Sequence, residues 1–142
     1  MRKEQEIKND LKDWAKIISQ YKKPNNTKAI IQLLTSFGPF VALWVLMYFS
    51  LSWSYFITIG LAFINAFFLV RIFIIQHDCG HQSFLKKRKW NNRVGLICSF
   101  FSAFPYEYWA KVHSHHHGHT GQLEQRDFGD INFLTVKEYQ EL

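Results

Sequence analysis

All seven histidines of the chain lie between His77 and His119, and five of them form two spaced groups. The first group reads His77-Asp78-Cys79-Gly80-His81, an H-x-x-x-H, and the second reads His113-Ser114-His115-His116-His117, which contains an H-x-x-H-H. Residues three or four apart share one face of a helix, so His77 and His81 can aim both rings at one point. At about 100° per residue from His113, His116 falls at about 300° and His117 at about 40°. His115 (about 200°) and His119 (about 240°) face away. The spacing selects His77, His81, His113, His116 and His117 as a metal-ligand set. Imidazole binds iron, zinc, copper and nickel, so ligand type leaves the metal open. The zinc-protease pattern H-E-x-x-H needs a Glu after its first His, where this chain has Asp78. A structural zinc takes about four ligands in a closed site. Five on-face histidines therefore suggest two metals. A loosely binding His-rich tract explains the second group alone, but not two groups flanking an apolar segment.

The elements that must hold these rings read as membrane helices. With 142 residues the chain is one domain at most. Its hydrophobic fraction is 48%, with 14 Phe, yet the charged residues gather at the two ends. The net charge of +6 could point to nucleic acid, but Lys and Arg flank the apolar middle, which favours an anionic membrane surface and no nucleic-acid partner. Cys79 and Cys98 are the only cysteines and form no C-x-x-C, so no disulfide framework or Cys-based zinc site is indicated. The charged N-terminus has no signal-peptide core.

Along residues 1–23, Ile7, Leu11, Trp14, Ile18 and Tyr21 recur every three or four positions, predicting an amphipathic helix at the membrane interface. Residues 29–51 and 53–75 are each long and apolar enough to span a bilayer, joined by a short uncharged turn bearing Trp53. Gly38-Pro39 falls inside the first span, where such pairs are tolerated. Arg71 reads as a snorkelling residue near a helix end, and Asn65 as an interhelical hydrogen bonder. Lys22, Lys23 and Lys28 precede the hairpin, and Lys86, Lys87, Arg88, Lys89 and Arg93 follow it. That asymmetry places both ends in the cytosol, with the second helix running on to present His77 and His81 there. Residues 94–104 are apolar but too short to cross, an interfacial or re-entrant piece ended by Pro105. Glu107 to His117 would form a cytosolic helix stopped by Gly118, and Asp127-Phe128-Gly129-Asp130 reads as a turn in the polar tail. Trp90 and Trp109 read as interfacial, and Cys79 and Cys98 as small apolar residues. The fold class expected is all-α: an interfacial helix, a membrane hairpin, and a cytosolic histidine region over 77–142. Two metals at the cytosolic face of a membrane suit oxidative chemistry on a lipid chain, because an alkyl C–H offers nothing to acid–base catalysis.

HDCGHQSF, WAKVHSHHHGHTG and QRDFGDI resemble the membrane fatty acid desaturase family of the acyl-lipid or delta-12-like kind. The resemblance runs from about residue 75 to the end, and the hairpin agrees with it in placement. It implies a four-helix membrane core and two non-haem irons held by three histidine boxes. It also implies dioxygen as co-substrate and an external electron donor, a ferredoxin or a b-type cytochrome. Box one maps onto His77 and His81, and box two onto His113, His116 and His117. Asp78 would orient a ligand from the second layer. The family's third box and second membrane hairpin are absent from these 142 residues. The chain therefore reads as the N-terminal part of a longer enzyme, inactive as a fragment, with nothing in it to fix how box two docks on box one. Two alternatives stand beside this reading. One is a related hydroxylase or ketolase acting on acyl chains or carotenoids; the other is a non-catalytic metal-binding membrane protein complete at this length. A further open frame containing H-x-x-H-H would remove the latter.

Overall fold

Asn25 sets the start of the first long helix. Its side chain accepts from the Lys28 N–H at 3.1 Å, capping the first helix after Pro24 has broken the preceding segment. The computed structural model describes residues 13–14, 16–123 and 134–142. Within them the chain is all-helical: α1 Asn26–Ser50, α2 Tyr55–Gly80, α3 Arg88–Ser102, α4 Tyr106–His119 and α5 Val136–Gln140. Residues 16–19 are also helical, while most of the expected interfacial helix, and the whole turn at 127–130, lie outside the described residues.

Helices α1 and α2 are an antiparallel pair, each long and apolar enough to cross a membrane. At 1.5 Å per residue they measure about 38 Å. Helix α1 passes through Pro39 without a break. Ser50 closes the hairpin: its Oγ lies 2.7 Å from Thr58 Oγ1, and its carbonyl accepts from the Trp53 and Ser54 N–H groups. The buried positions of α1 are Ala29, Ser36, Phe40, Met47 and Ser50, and those of α2 are Asn65, Ile72, Ile75, Gln76 and Cys79. Steps of mostly seven, four and three make one seam on each helix. The other faces carry exposed Leu34, Trp44, Phe56, Ile59, Phe63 and Phe67. Such faces belong against lipid or further protein.

Arg71 reaches across the hairpin: Nε donates to Ser36 Oγ at 3.3 Å and Nη2 to Thr35 Oγ1 at 3.4 Å, both on α1. One expectation on this hairpin is corrected. Asn65 is buried and its Oδ1 has no hydrogen-bond partner among the described residues, so it makes no interhelical hydrogen bond there through that oxygen.

The core sits at the Asn26 end of the hairpin, where Ala29, Phe40, Ile72, Ile75, Cys79, Phe84, Leu85, Cys98 and Tyr106 pack together. Helix α3 begins at Arg88, six residues before the expected apolar piece, because Asn91 organises its start. The buried Asn91 amide donates to the Leu85 carbonyl at 2.7 Å and accepts from the Leu85 N–H at 2.8 Å. Lys86 N–H donates to Asn26 Oδ1, and at the other end Phe101 meets Phe37 and Phe40 edge-on. Helix α3 thus runs beside the hairpin from the Asn26 level to the Phe40 level. Ala103, in the left-handed region at φ 58°, turns the chain, and Gln76 holds the turn. Its amide donates to the Phe104 carbonyl at 3.0 Å and accepts from Ser102 Oγ at 2.6 Å. Helix α4 then returns toward the end of α2 and extends to His119, past Gly118.

Candidate metal centre

His77 lies in the last turn of α2 and His81 is its C-cap. The helix ends in a Schellman motif: Gln82 N–H donates to the Cys79 carbonyl and Ser83 N–H to the Asp78 carbonyl, each at 3.0 Å. The left-handed position of that motif ordinarily takes glycine, yet Gln82 occupies it at φ 58°. Its side chain explains the choice. The amide donates to the Cys79 carbonyl at 3.1 Å and to Asn92 Oδ1 at 2.9 Å, with Tyr106 Oη at 3.4 Å. Gln82 therefore ties the end of α2 to both α3 and α4.

Helix α4 supplies the second group. Tyr106 Oη donates to the Cys79 carbonyl at 2.9 Å, and the ring lies flat against Gly95 of α3, where an added Cβ would stand 2.2 Å from the ring. One turn on, Trp109 enters between α2 and α4. The expectation that nothing docks box two on box one is therefore corrected. Trp90 is half exposed, with the Arg93 guanidinium over its ring at 5.1 Å.

The docking brings four rings together. His77 Nε2 lies 3.3 Å from His81 Nε2, which lies 3.2 Å from His113 Nε2, which lies 3.0 Å from His117 Nε2. All four ligand atoms fall within 4.8 Å of one another. Nitrogens sharing a metal at bond lengths of roughly 2.0–2.1 Å stand about 3.0 Å apart at right angles and about 3.4 Å apart at the tetrahedral angle. The three neighbouring spacings thus fit pairs of imidazoles sharing a transition metal. His81 and His117 are exposed and His77 and His113 half-buried, so the cluster is open on one side.

His116 stands outside this group of four. Its ring centroid is 6.1 Å from that of His113 and 5.6 Å from that of His117. His115 and His119 stack on each other at 4.0 Å, away from the focus, and His119 Nδ1 lies 2.9 Å from the His115 carbonyl. Asp78 Oδ1 lies 3.1 Å from His77 Nδ1. A proton on that nitrogen, shared with the carboxylate, leaves the Nε2 lone pair facing the cluster. Burial first, and then the nearby His77 and His117 rings, hold His81 below the ordinary imidazole value. Burial, followed by the His77, His117, His81 and His116 rings, brings His113 down to about 4. Both are neutral at pH 7 and present a lone pair.

The fatty acid desaturase family model matches residues 54–140. The chain belongs to the fatty acid desaturase family. It is 44% identical over 137 residues to a fatty acid desaturase of Bacillus subtilis (strain 168), covering 96% of this chain and 39% of that protein. It is 36% identical to an sn-1 oleoyl-lipid 12-desaturase of Anabaena variabilis, over 87% of this chain and 37% of the relative. It is 30% identical to an sn-1 acyl-lipid omega-3 desaturase (ferredoxin) of Nostoc sp. (strain 36), over 92% of this chain and 34% of that protein. The chain spans less than half the length of these desaturases. No solved structure matches it.

Tyr106, Trp109, Gln82, Gly80 and Gly95 are the residues around the histidine cluster that spacing arithmetic missed. Two signals for them were present. Trp109 precedes His113 by four residues, the same-face interval, and Gly80 sits inside a helical pattern, where an isolated glycine marks close packing.

Proposed function

We propose that this chain forms the membrane hairpin and two histidine boxes of an iron-dependent desaturase acting on the acyl chains of membrane lipids. The observation that carries the reading is the convergence of four imidazole nitrogens from two helices in a chain of this family. His77, His81, His113, His116 and His117 would hold two non-haem irons. His116, with its ring 6.1 Å from that of His113 and 5.6 Å from that of His117, would serve the second ion. Bound iron supplies the activation of dioxygen that an alkyl C–H bond requires. The chain's own residues hold and orient. Asp78 keeps the proton of His77 on Nδ1, and the apolar outer faces of α1 and α2 let an acyl chain remain in lipid beside the site. Overall, two hydrogens leave adjacent carbons as the double bond forms. With two electrons from a donor and two protons, dioxygen becomes two waters.

The Anabaena and Nostoc relatives are named for sn-1 oleoyl-lipid and sn-1 acyl-lipid substrates, and the latter for ferredoxin. We carry these here as an acyl chain esterified in a glycerolipid, and a ferredoxin or b-type cytochrome as donor. The basic residues at both ends of the hairpin, about an uncharged turn, support a cytosolic face for both boxes.

The test is expression of the complete open reading frame in a host lacking the corresponding unsaturation, followed by mass spectrometry of its lipids. New double bonds are expected with the native protein. His→Ala at 77, 81, 113, 116 or 117 should abolish them, while His115→Ala and His119→Ala should retain much of the activity. Hydroxylated or keto products from the native protein would move the assignment to a related oxygenase. A loss at His115 equal to that at His116 would overturn the ligand set.

A further inference from the structure

We infer that Trp109 is a positioning residue for the metal centre, setting the plane of the His113 ring and the seat of α4 on α2. The inference rests on the reading of the cluster as a metal site.

Trp109 is stacked on His113, with ring centroids 4.5 Å apart and planes 19° apart. The same indole meets three residues along one face of α2. Phe73 lies edge-on at 5.5 Å, His77 is tilted at 5.6 Å, and a Cβ on Gly80 would lie 3.0 Å from Trp109 Cζ3. Positions 73, 77 and 80 are one helical stripe. Trp109 therefore touches a ring from each histidine box while lying against the α2 backbone, where only hydrogen stands at Gly80.

The geometry has a chemical consequence. An imidazole has two rotatable bonds, and a metal uses it only in the narrow range that aims the nitrogen lone pair. A free ring must be ordered when metal binds, which weakens binding. Stacking on a wide indole packed against Phe73, His77 and Gly80 orders it beforehand. His77 is already held by Asp78 through Nδ1. For His113, Trp109 supplies by stacking what Asp78 supplies to His77 by hydrogen bonding. The indole also covers one face of the ring, leaving the Nε2 edge for the cluster.

The test uses the protein from the complete open reading frame, purified in detergent and loaded with iron or cobalt(II). Iron release to a chelator and the visible absorption of the cobalt form are read for the native protein, Trp109→Phe, Trp109→Leu, Trp109→Ala and His113→Ala. Trp109→Phe, which keeps a stacking ring, should stay close to native. Trp109→Leu and Trp109→Ala should release iron about 10- to 100-fold faster, the range seen when groups that orient ligands are removed. Their cobalt bands should shift, because the ligand geometry changes. If Trp109→Ala does not fold, the Phe and Leu variants decide, since both fill space but only one stacks. Equal release and equal cobalt spectra from those two would overturn the inference while the metal site stands. A native protein retaining no more metal than His113→Ala would overturn the site, and the role of Trp109 with it.

Discussion

Gln82 shows how a single residue can carry a local cost for a long-range connection. A left-handed non-glycine residue is disfavoured by about 1–2 kcal/mol. Here the position is held by an amide bridging the ends of α2, α3 and α4. The two effects can be separated. Gln82→Ala keeps the backbone strain and loses the amide, so it should destabilise by about 1–2 kcal/mol. Gln82→Gly loses the amide but relieves the strain, so its loss should be smaller. Apparent melting of the detergent-solubilised protein ranks the two, and an equal or larger loss with glycine would mean that the backbone conformation is not the strained part. Nothing in the string HDCGHQSF signals this, because the sequence rule for a left-handed cap looks for Gly or Asn. The convergence of His77, His81, His113 and His117 was legible by contrast, because a helix of fixed pitch turns spacing into direction. Trp109 was ambiguous. An indole near a bilayer edge reads as an anchor, and only the arrival of α2 opposite makes it a wedge.

At the scale of elements, the hairpin was legible to within a few residues because length and lack of charge are enough to mark a span. The extension of α2 to Gly80 was legible too, since the H-x-x-x-H interval continues the helix beyond the apolar run. Helix α3 was read only from residue 94. Its first turn is Arg88, Lys89, Trp90 and Asn91, with no apolar periodicity, and its start depends on Asn91 bonding back to Leu85. The return from α3 to α4 depends on Gln76, a tertiary partner that no local pattern reveals. The glycines separate packing from mere permissiveness. Gly95→Ala drives a methyl into the Tyr106 ring and should cost about 1–3 kcal/mol. Gly60→Ala, with open space around its added carbon, should show no such loss. Thermal midpoints of the two variants are the comparison; equal midpoints would mean that Tyr106 is not seated on Gly95.

For the whole molecule, the exposed apolar faces of α1 and α2 suit a bilayer, and the basic residues at their Asn26 end predict which side that end faces. The two native cysteines make this measurable. Cys79 and Cys98 are fully buried, and burial pushes the Cys98 thiol up to about 12, so it carries almost no reactive thiolate at pH 7. A cysteine placed at Ser52 should react with a membrane-impermeant maleimide in intact cells. One placed at Lys87 should react only after the membrane is opened. Labelling of the Ser52 site from the cytosolic side alone would reverse the topology.

Tyr106, Trp109, His113 and His117 follow one another at intervals of three, four and four along α4. The residues that seat this helix and the residues that face the histidine cluster are therefore a single stripe. A rotation that withdraws the ligands also withdraws the seat, and a helix that leaves its seat cannot keep its ligands. Assembly of this half of the site would consequently be cooperative: a bound metal would gain affinity from the docked helix, and by reciprocity the docked helix would gain stability from the metal.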